Sequence, residues 1–236
     1  SQGSEPATTY WYYAVALFGS AMTPYEVFFF SSGAIEEHWT EKDLGQSRIN
    51  VLVGFPLGGV LSIAIAITAA VVLLPQQIQV TSLSQVLLPV AQAGGTLAVI
   101  VALLGFVAAT FGAALETTLS AGYSLAQYFG WSWGKFRRPV KAARFHLTMI
   151  IALVIGVAVL LTGVDPVQIT EYSVVFSAIA LPLTYLPILI IANDHEYMGD
   201  HVNGRMTNLF GLVFLAIILI ASIAAIPLMI LSAAGT

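Results

Sequence analysis

Residues 51–74 read VLVGFPLGGVLSIAIAITAAVVLL, an apolar run without a single charge. About 20 such residues in helical form cross roughly 30 Å of hydrocarbon, so this stretch reads as a membrane-spanning helix. Runs of similar character recur along all 236 residues, of which 58% are hydrophobic and 8% charged. A soluble domain carries about 25% charged residues and could not cover its surface with so few. Period-two patterning is weak and the runs are long, which favours helices over the short alternating strands of a membrane barrel. The predicted fold is therefore all-α, a polytopic membrane helical bundle.

Working outward from 51–74, the spans fall at about 11–35, 94–122, 145–162, 172–192 and 207–232, giving six in a single membrane domain. The first contains Gly19-Ser20-Ala21-Met22-Thr23-Pro24-Tyr25-Glu26. Pro24 removes a backbone donor and crowds the carbonyl four residues back, so this helix is predicted to break near 22–26. Residues 36–43 form a polar loop. Gly54 and Gly58, four apart, permit close helix approach. Pro75 ends the second span, and the uncharged, mixed residues 76–88 suit a short amphipathic segment at the interface. Pro182 and Pro187 lie within the fifth span.

The basic residues test this arrangement. Lys42 and Arg48 lie around the first link, Lys135, Arg137, Arg138, Lys141 and Arg144 in the third beside Trp131 and Trp133, and Arg205 in the fifth. With six spans, all eight fall on one side. An odd number would scramble them. The positive-inside rule makes that side cytoplasmic and puts both termini outside, with the plasma (inner) membrane as the expected location. The first residues, Ser1 to Pro6, lack an initiator Met and a basic region, so they read as a cut or loop end rather than a signal peptide.

Cysteine is absent, which removes disulfides, thiolate chemistry and cysteine metal sites. No Gly-x-Ser-x-Gly elbow, phosphate loop or dinucleotide glycine pattern occurs, and an intramembrane protease would need a buried serine–histidine set or two intramembrane aspartates. An enzyme is not expected, nor a nucleic-acid partner. His38 and His146 lie at membrane edges. Asp194, His195, Glu196, Asp200 and His201 cluster in a short glycine-containing link without the His-x-x-x-His spacing of zinc enzymes, so they are expected to cap neighbouring helices.

Of twelve acidic residues, only Glu26 and Glu116 sit well within spans. Ionisable groups at depth are costly and mark function by default. A broken span with small and polar neighbours also exposes carbonyls and helix ends, a common transporter device. Thr23 and Glu26 are thus candidate cation ligands, and Glu116 a second polar site.

Two segments resemble the Nramp-type divalent metal transporters. Residues 19–31, GSAMTPYEVFFFS, are similar to the family's sixth helix with its Met-Pro-His motif. Residues 181–203 are similar to its tenth helix and following loop, keeping Asp194-x-x-x-Met198-Gly199-x-x-Val202-Asn203. The resemblance implies that the chain corresponds to the sixth through eleventh helices, the second inverted repeat of a broken-helix transporter plus one extra helix. It implies that five N-terminal helices, with the family's Asp-Pro-Gly-Asn motif, belong to the same precursor or a second chain. It places Thr23 where the family has a metal-binding Met, and Tyr25 and Phe30 at two histidines, and implies an ion site made on this side by Ala21, Met22, Thr23, Tyr25 and Glu26. Hydroxyl and carboxylate suit hard ions and thioether softer ones, so the expected cargo is magnesium or manganese, with proton coupling reduced. No resident cofactor is implied. Three classes stay open at this point: half of a transporter, a non-transporting membrane assembly subunit, and an intramembrane enzyme.

Overall fold

The computed structural model describes residues 7–232 except Gln79, Thr81 and Ser82. The reading of Ser1 to Pro6 lies outside these residues, as does part of the 76–88 segment. Ten α-helices follow in order among the described residues: α1 (Ala7–Ala21), α2 (Pro24–Glu36), α3 (Leu44–Ile49), α4 (Phe55–Thr68), α5 (Leu83–Val86), α6 (Leu88–Tyr128), α7 (Ala143–Leu161), α8 (Pro166–Ile191), α9 (His195–Met198) and α10 (Arg205–Ser232). Six helical segments among them are long and apolar enough to cross a membrane: Ala7–Glu36, Glu41–Leu73, Leu88–Tyr128, Ala143–Leu161, Pro166–Ile191 and Arg205–Ser232. The protein is a multi-pass integral membrane protein of helical-bundle type.

Several boundaries differ from the sequence reading. The interruption of the first span is confined to Met22 and Thr23, and Pro24 to Glu26 already form the first turn of α2. Proline supplies no N–H, but the first helical position needs none, so Pro24 ends one helix and starts the next. The polar loop is shorter than expected: Glu41–Asp43 forms a 3₁₀ turn that runs into α3. The second span is wound more loosely, as π-helix, at Asn50–Gly54 and Ala69–Leu73. Pro56 offers no N–H to the carbonyl of Leu52, which fits the first of these widened turns. Helix begins at Leu88, ahead of the expected start near Gly94, but Gly95 at φ 62°, ψ −158° is non-helical, so two helices meet there at a kink.

The chain divides into two compact units, one holding the residues up to Phe29 together with those from Val154 onward, the other Phe30–Leu153. In the first unit α1, α8 and α10 pack pairwise. Each buries one stripe at helical spacing: Tyr12, Ala16 and Gly19 on α1; Val175, Ala178, Leu181 and Thr184 on α8; Gly211, Ile218, Ala221 and Ala225 on α10. Small residues dominate because helices in lipid gain from close backbone approach rather than from water exclusion. At Gly19 a Cβ would lie 2.4 Å from the carbonyl oxygen of Val174 and 2.8 Å from Cβ of Ala178. The Tyr185 hydroxyl donates to the carbonyl of Gly211 (3.2 Å), and Ser222 donates to that of Ile179 (3.0 Å), pinning α10 to the proline-bearing α8.

The second unit is built on the C-terminal third of α6. Thr118, Ser120, Gly122, Tyr123 and Ala126 are buried there. Gly122 admits the ring of Phe145 and the side chain of Met149 from α7, each about 3 Å from where a Cβ would stand. By contrast α4 buries no residue, although it is among the most apolar segments.

Candidate functional site

The break between α1 and α2 brings five candidate residues onto one short segment. Ala21 closes α1, Met22 and Thr23 form the non-helical link, and Tyr25 and Glu26 lie in the first turn of α2. The last turn of a helix has carbonyls without intrahelical donors, and its dipole leaves that end negative. A cation is therefore favoured at the Ala21 end. Glu26 sits at the positive start of α2, the end at which a helix dipole favours a carboxylate.

Thr23 occupies the position immediately before Pro24, where a threonine hydroxyl ordinarily caps the helix by accepting an amide. Here the Glu26 amide donates to the Thr23 backbone carbonyl instead, at 3.2 Å. The hydroxyl of Thr23, a residue only 9% exposed, has no hydrogen-bond partner among the described residues. Leaving a buried polar group unpaired costs about 1–3 kcal/mol, so the arrangement retains an oxygen at some expense to stability. Met22, Tyr25 and Glu26 are each partly buried, while Ala21 is exposed.

Glu116 belongs to the second unit, on α6 and partly buried. It is not among the five residues gathered at the break. The acidic link after α8 also behaves as a capping device. Asp194 accepts from the amide of Glu196 (2.8 Å) and so starts α9, while Gly199 reverses the chain at φ 56° with its carbonyl 3.0 Å from Nδ1 of His195. Asn193 accepts from Nδ2 of Asn208 (2.5 Å), and the Asn203 amide donates to the Ala192 carbonyl (3.0 Å). Among the described residues no group of three or more His, Asp or Glu is gathered as a metal site would require. A groove of about 620 Å³ in the first unit is lined by α1 and α10 side chains such as Trp11, Phe18, Ile217 and Pro227, an apolar surface unsuited to an ion.

Sequence reasoning missed a polar cluster at the far end of α2. Both carboxylate oxygens of Glu36 are occupied: Oε2 accepts from the Tyr123 hydroxyl (2.6 Å) and Oε1 from the Phe136 amide (2.9 Å). Gln127 donates to the buried Ser32 hydroxyl at 2.9 Å. Next to it, Glu37 pairs with Lys135 at 2.5 Å and accepts from the Trp39 indole at 3.1 Å. The Lys135 ammonium first, and the indole second, hold the exposed Glu37 carboxyl below the usual carboxylate range. No local pattern announces the cluster, because Glu36 meets partners 87 and 100 residues away.

Known proteins bear on this geometry. The family described as "Natural resistance-associated macrophage protein-like" matches residues 2–227. A protein of Mycobacterium leprae named "Divalent metal cation transporter MntH" is 24% identical over 208 residues, 84% of this chain and 46% of that protein. Its namesake in Pectobacterium carotovorum is 24% identical over 208 residues, 87% and 48% of the two chains. A third, in Klebsiella pneumoniae, is 32% identical over 79 residues, 32% and 19%. The chain spans about half the length of the first two of these curated relatives. The match over residues 2–227 takes in both the broken span and the proline-bearing α8 with its Met198-Gly199 link, and the chain belongs to the Nramp family.

Proposed function

We propose that this chain supplies half of a divalent-cation transport pathway, with the α1–α2 break as its share of the ion site and magnesium or manganese as cargo. One observation carries the reading: the Thr23 hydroxyl is buried and, among the described residues, unpartnered at the point where the span is interrupted. A hard cation that takes this oxygen as a ligand relieves the cost of its burial. Backbone carbonyls of Ala21 and Met22 complete the oxygen set on this side, Tyr25 bounds it with a phenol, and Glu26 raises the local cation concentration. Magnesium sheds water reluctantly, so part of its hydration shell stays between ion and protein. Glu116, on α6 of the second unit, is a second polar site for a cation.

The remaining ligands lie in five N-terminal helices, in the same precursor or a second chain, with which this single membrane domain forms the whole transporter. It operates in the inner membrane with both ends of this chain outside. The named relatives are transporters of divalent metal cations, which supports the class of cargo. Thr23 and Tyr25 in place of sulfur and imidazole support hard ions and weak dependence on a proton gradient.

Uptake into vesicles by the complete transporter tests this. Thr23→Met should move preference toward cadmium over magnesium by about tenfold, equivalent to roughly 1.4 kcal/mol of differential binding. Glu26→Gln should weaken magnesium uptake. Cadmium or iron uptake far above magnesium in the unmodified protein, tightly coupled to protons, would overturn the assignment.

A further inference from the structure

The two halves of the broken span differ in how they are attached. Helix α2 buries a single residue, Ser32, and leaves Ile35 exposed. Within the second unit it makes three polar attachments through Ser32 and Glu36. Ser32 accepts from Gln127, and Glu36 accepts from Tyr123 and from the Phe136 amide.

Glu36 is the last residue of α2, where the helix dipole disfavours an anion. Its charge does not serve the helix, so its surroundings must compensate it. They are shaped to do so. Gly134 stands at φ 127°, a backbone conformation that other residues avoid, and a Cβ there would come within 2.8 Å of Glu36 Oε1. The loop thereby closes on the carboxylate and aims the Phe136 amide at it. Tyr123 is fully buried, braced by Trp133 edge-on (ring centroids 5.7 Å apart) and by Phe145 (5.3 Å), so its hydroxyl is held on target.

We infer that Glu36 is a positioning residue for transport: with Tyr123 it clamps the C-terminal half of the broken span to α6 and the α6–α7 loop, so that these parts move as one body. The inference rests on the proposed transport function. A helix half held by directional, charge-assisted bonds keeps its orientation relative to the groups that supply their donors, here α6 and the α6–α7 loop.

Hydrogen–deuterium exchange on the purified protein, paired with vesicle uptake, separates the clamp from the transport reading. In Glu36→Ala, exchange of the 27–36 amides should rise about tenfold while that of 8–20 in α1 stays unchanged. Maximal magnesium uptake should fall about tenfold, with the half-saturating concentration changed less than twofold. Tyr123→Phe keeps the ring packing and removes only the hydroxyl, so it should show the same pattern more weakly and serves if Glu36→Ala misfolds. Glu36→Gln, with one acceptor oxygen in place of two, should fall between them. Unchanged exchange of α2 in Glu36→Gln and Tyr123→Phe overturns the clamp. So does faster exchange with an unaltered maximal rate, or a shifted half-saturation at constant rate. An unmodified transporter that moves no divalent cation overturns the transport reading instead, while the exchange result still decides whether the clamp exists.

Discussion

Helix α1 is held by shape and helix α2 by polar bonds. On α1, Gly19 lets the backbone of α8 approach so closely that no side chain would fit, and Tyr12 and Ala16 pack with Val175 and Ala225. On α2, Gly33 has nothing within 4 Å of a hypothetical Cβ, and Ser32 and Glu36 make the connections instead. Apolar interlocking in lipid gains from close packing and tolerates little displacement. Hydrogen bonds to a carboxylate are short, strong and directional, so they hold a helix without interlocked side chains. The difference teaches that the two halves of a helix broken by proline can be attached by different means, one by shape and one by polar bonds.

The largest effect expected from this contrast lies at the two glycines. Gly19→Val should destabilise the protein by about 3 kcal/mol or more, because the new side chain meets backbone that cannot move aside. Gly33→Ala should be neutral or stabilise by up to about 1 kcal/mol, as helix propensity alone would give. Thermal unfolding of the purified protein distinguishes them, and equal losses at both positions would erase the contrast.

A smaller difference is expected between two tyrosines. Tyr123→Phe removes a hydrogen bond to a carboxylate and should cost about 1.5–3 kcal/mol, the range for charged partners. Tyr185→Phe removes a longer bond to the neutral Gly211 carbonyl, and should cost about 0.5–1.5 kcal/mol. Denaturant unfolding in mild detergent reads both; a larger loss at Tyr185 would reverse the ranking of charged and neutral acceptors.

The smallest effect is at the rim. Lys135→Ala should move the Glu37 carboxyl upward toward its ordinary range, visible in an NMR titration, with little change in stability because the pair is exposed. The sign follows from the lowered folded-state value. Whatever the pair contributes is present above the ordinary carboxylate range and is lost as pH falls through the folded-state value of Glu37. A titration of Glu37 unmoved by the substitution would mean that Trp39, not Lys135, sets it.

Much of this architecture was legible in the chain itself. Apolar runs locate all six membrane-crossing segments, because the thickness of hydrocarbon fixes their length. Pro24 locates the interruption, since the missing donor is a covalent fact. The extent of the break was not legible: proline excludes helix before it and favours helix after it, so only Met22 and Thr23 leave the helix. The unpartnered hydroxyl of Thr23 depended on a choice between two acceptors of the Glu26 amide that composition does not record. Glu36 looked like one more loop acid because its partners come from distant parts of the chain. Gly54 and Gly58 carried a packing signal, yet nothing lies within 4 Å of a Cβ at either, a difference that apolarity alone could not foretell.

The central claim is that the oxygen left free at the break takes a cation. Diffraction from crystals grown with manganese, recorded at a wavelength where the metal scatters anomalously, tests it most directly on the complete transporter and on its Thr23→Val variant, which preserves shape and removes the hydroxyl. The account predicts a manganese peak beside Thr23 Oγ1, bound directly or through one water, that weakens strongly in Thr23→Val. A peak of equal strength in the variant, or a principal peak at the Asp194–Asp200 link with none at the break, would contradict it.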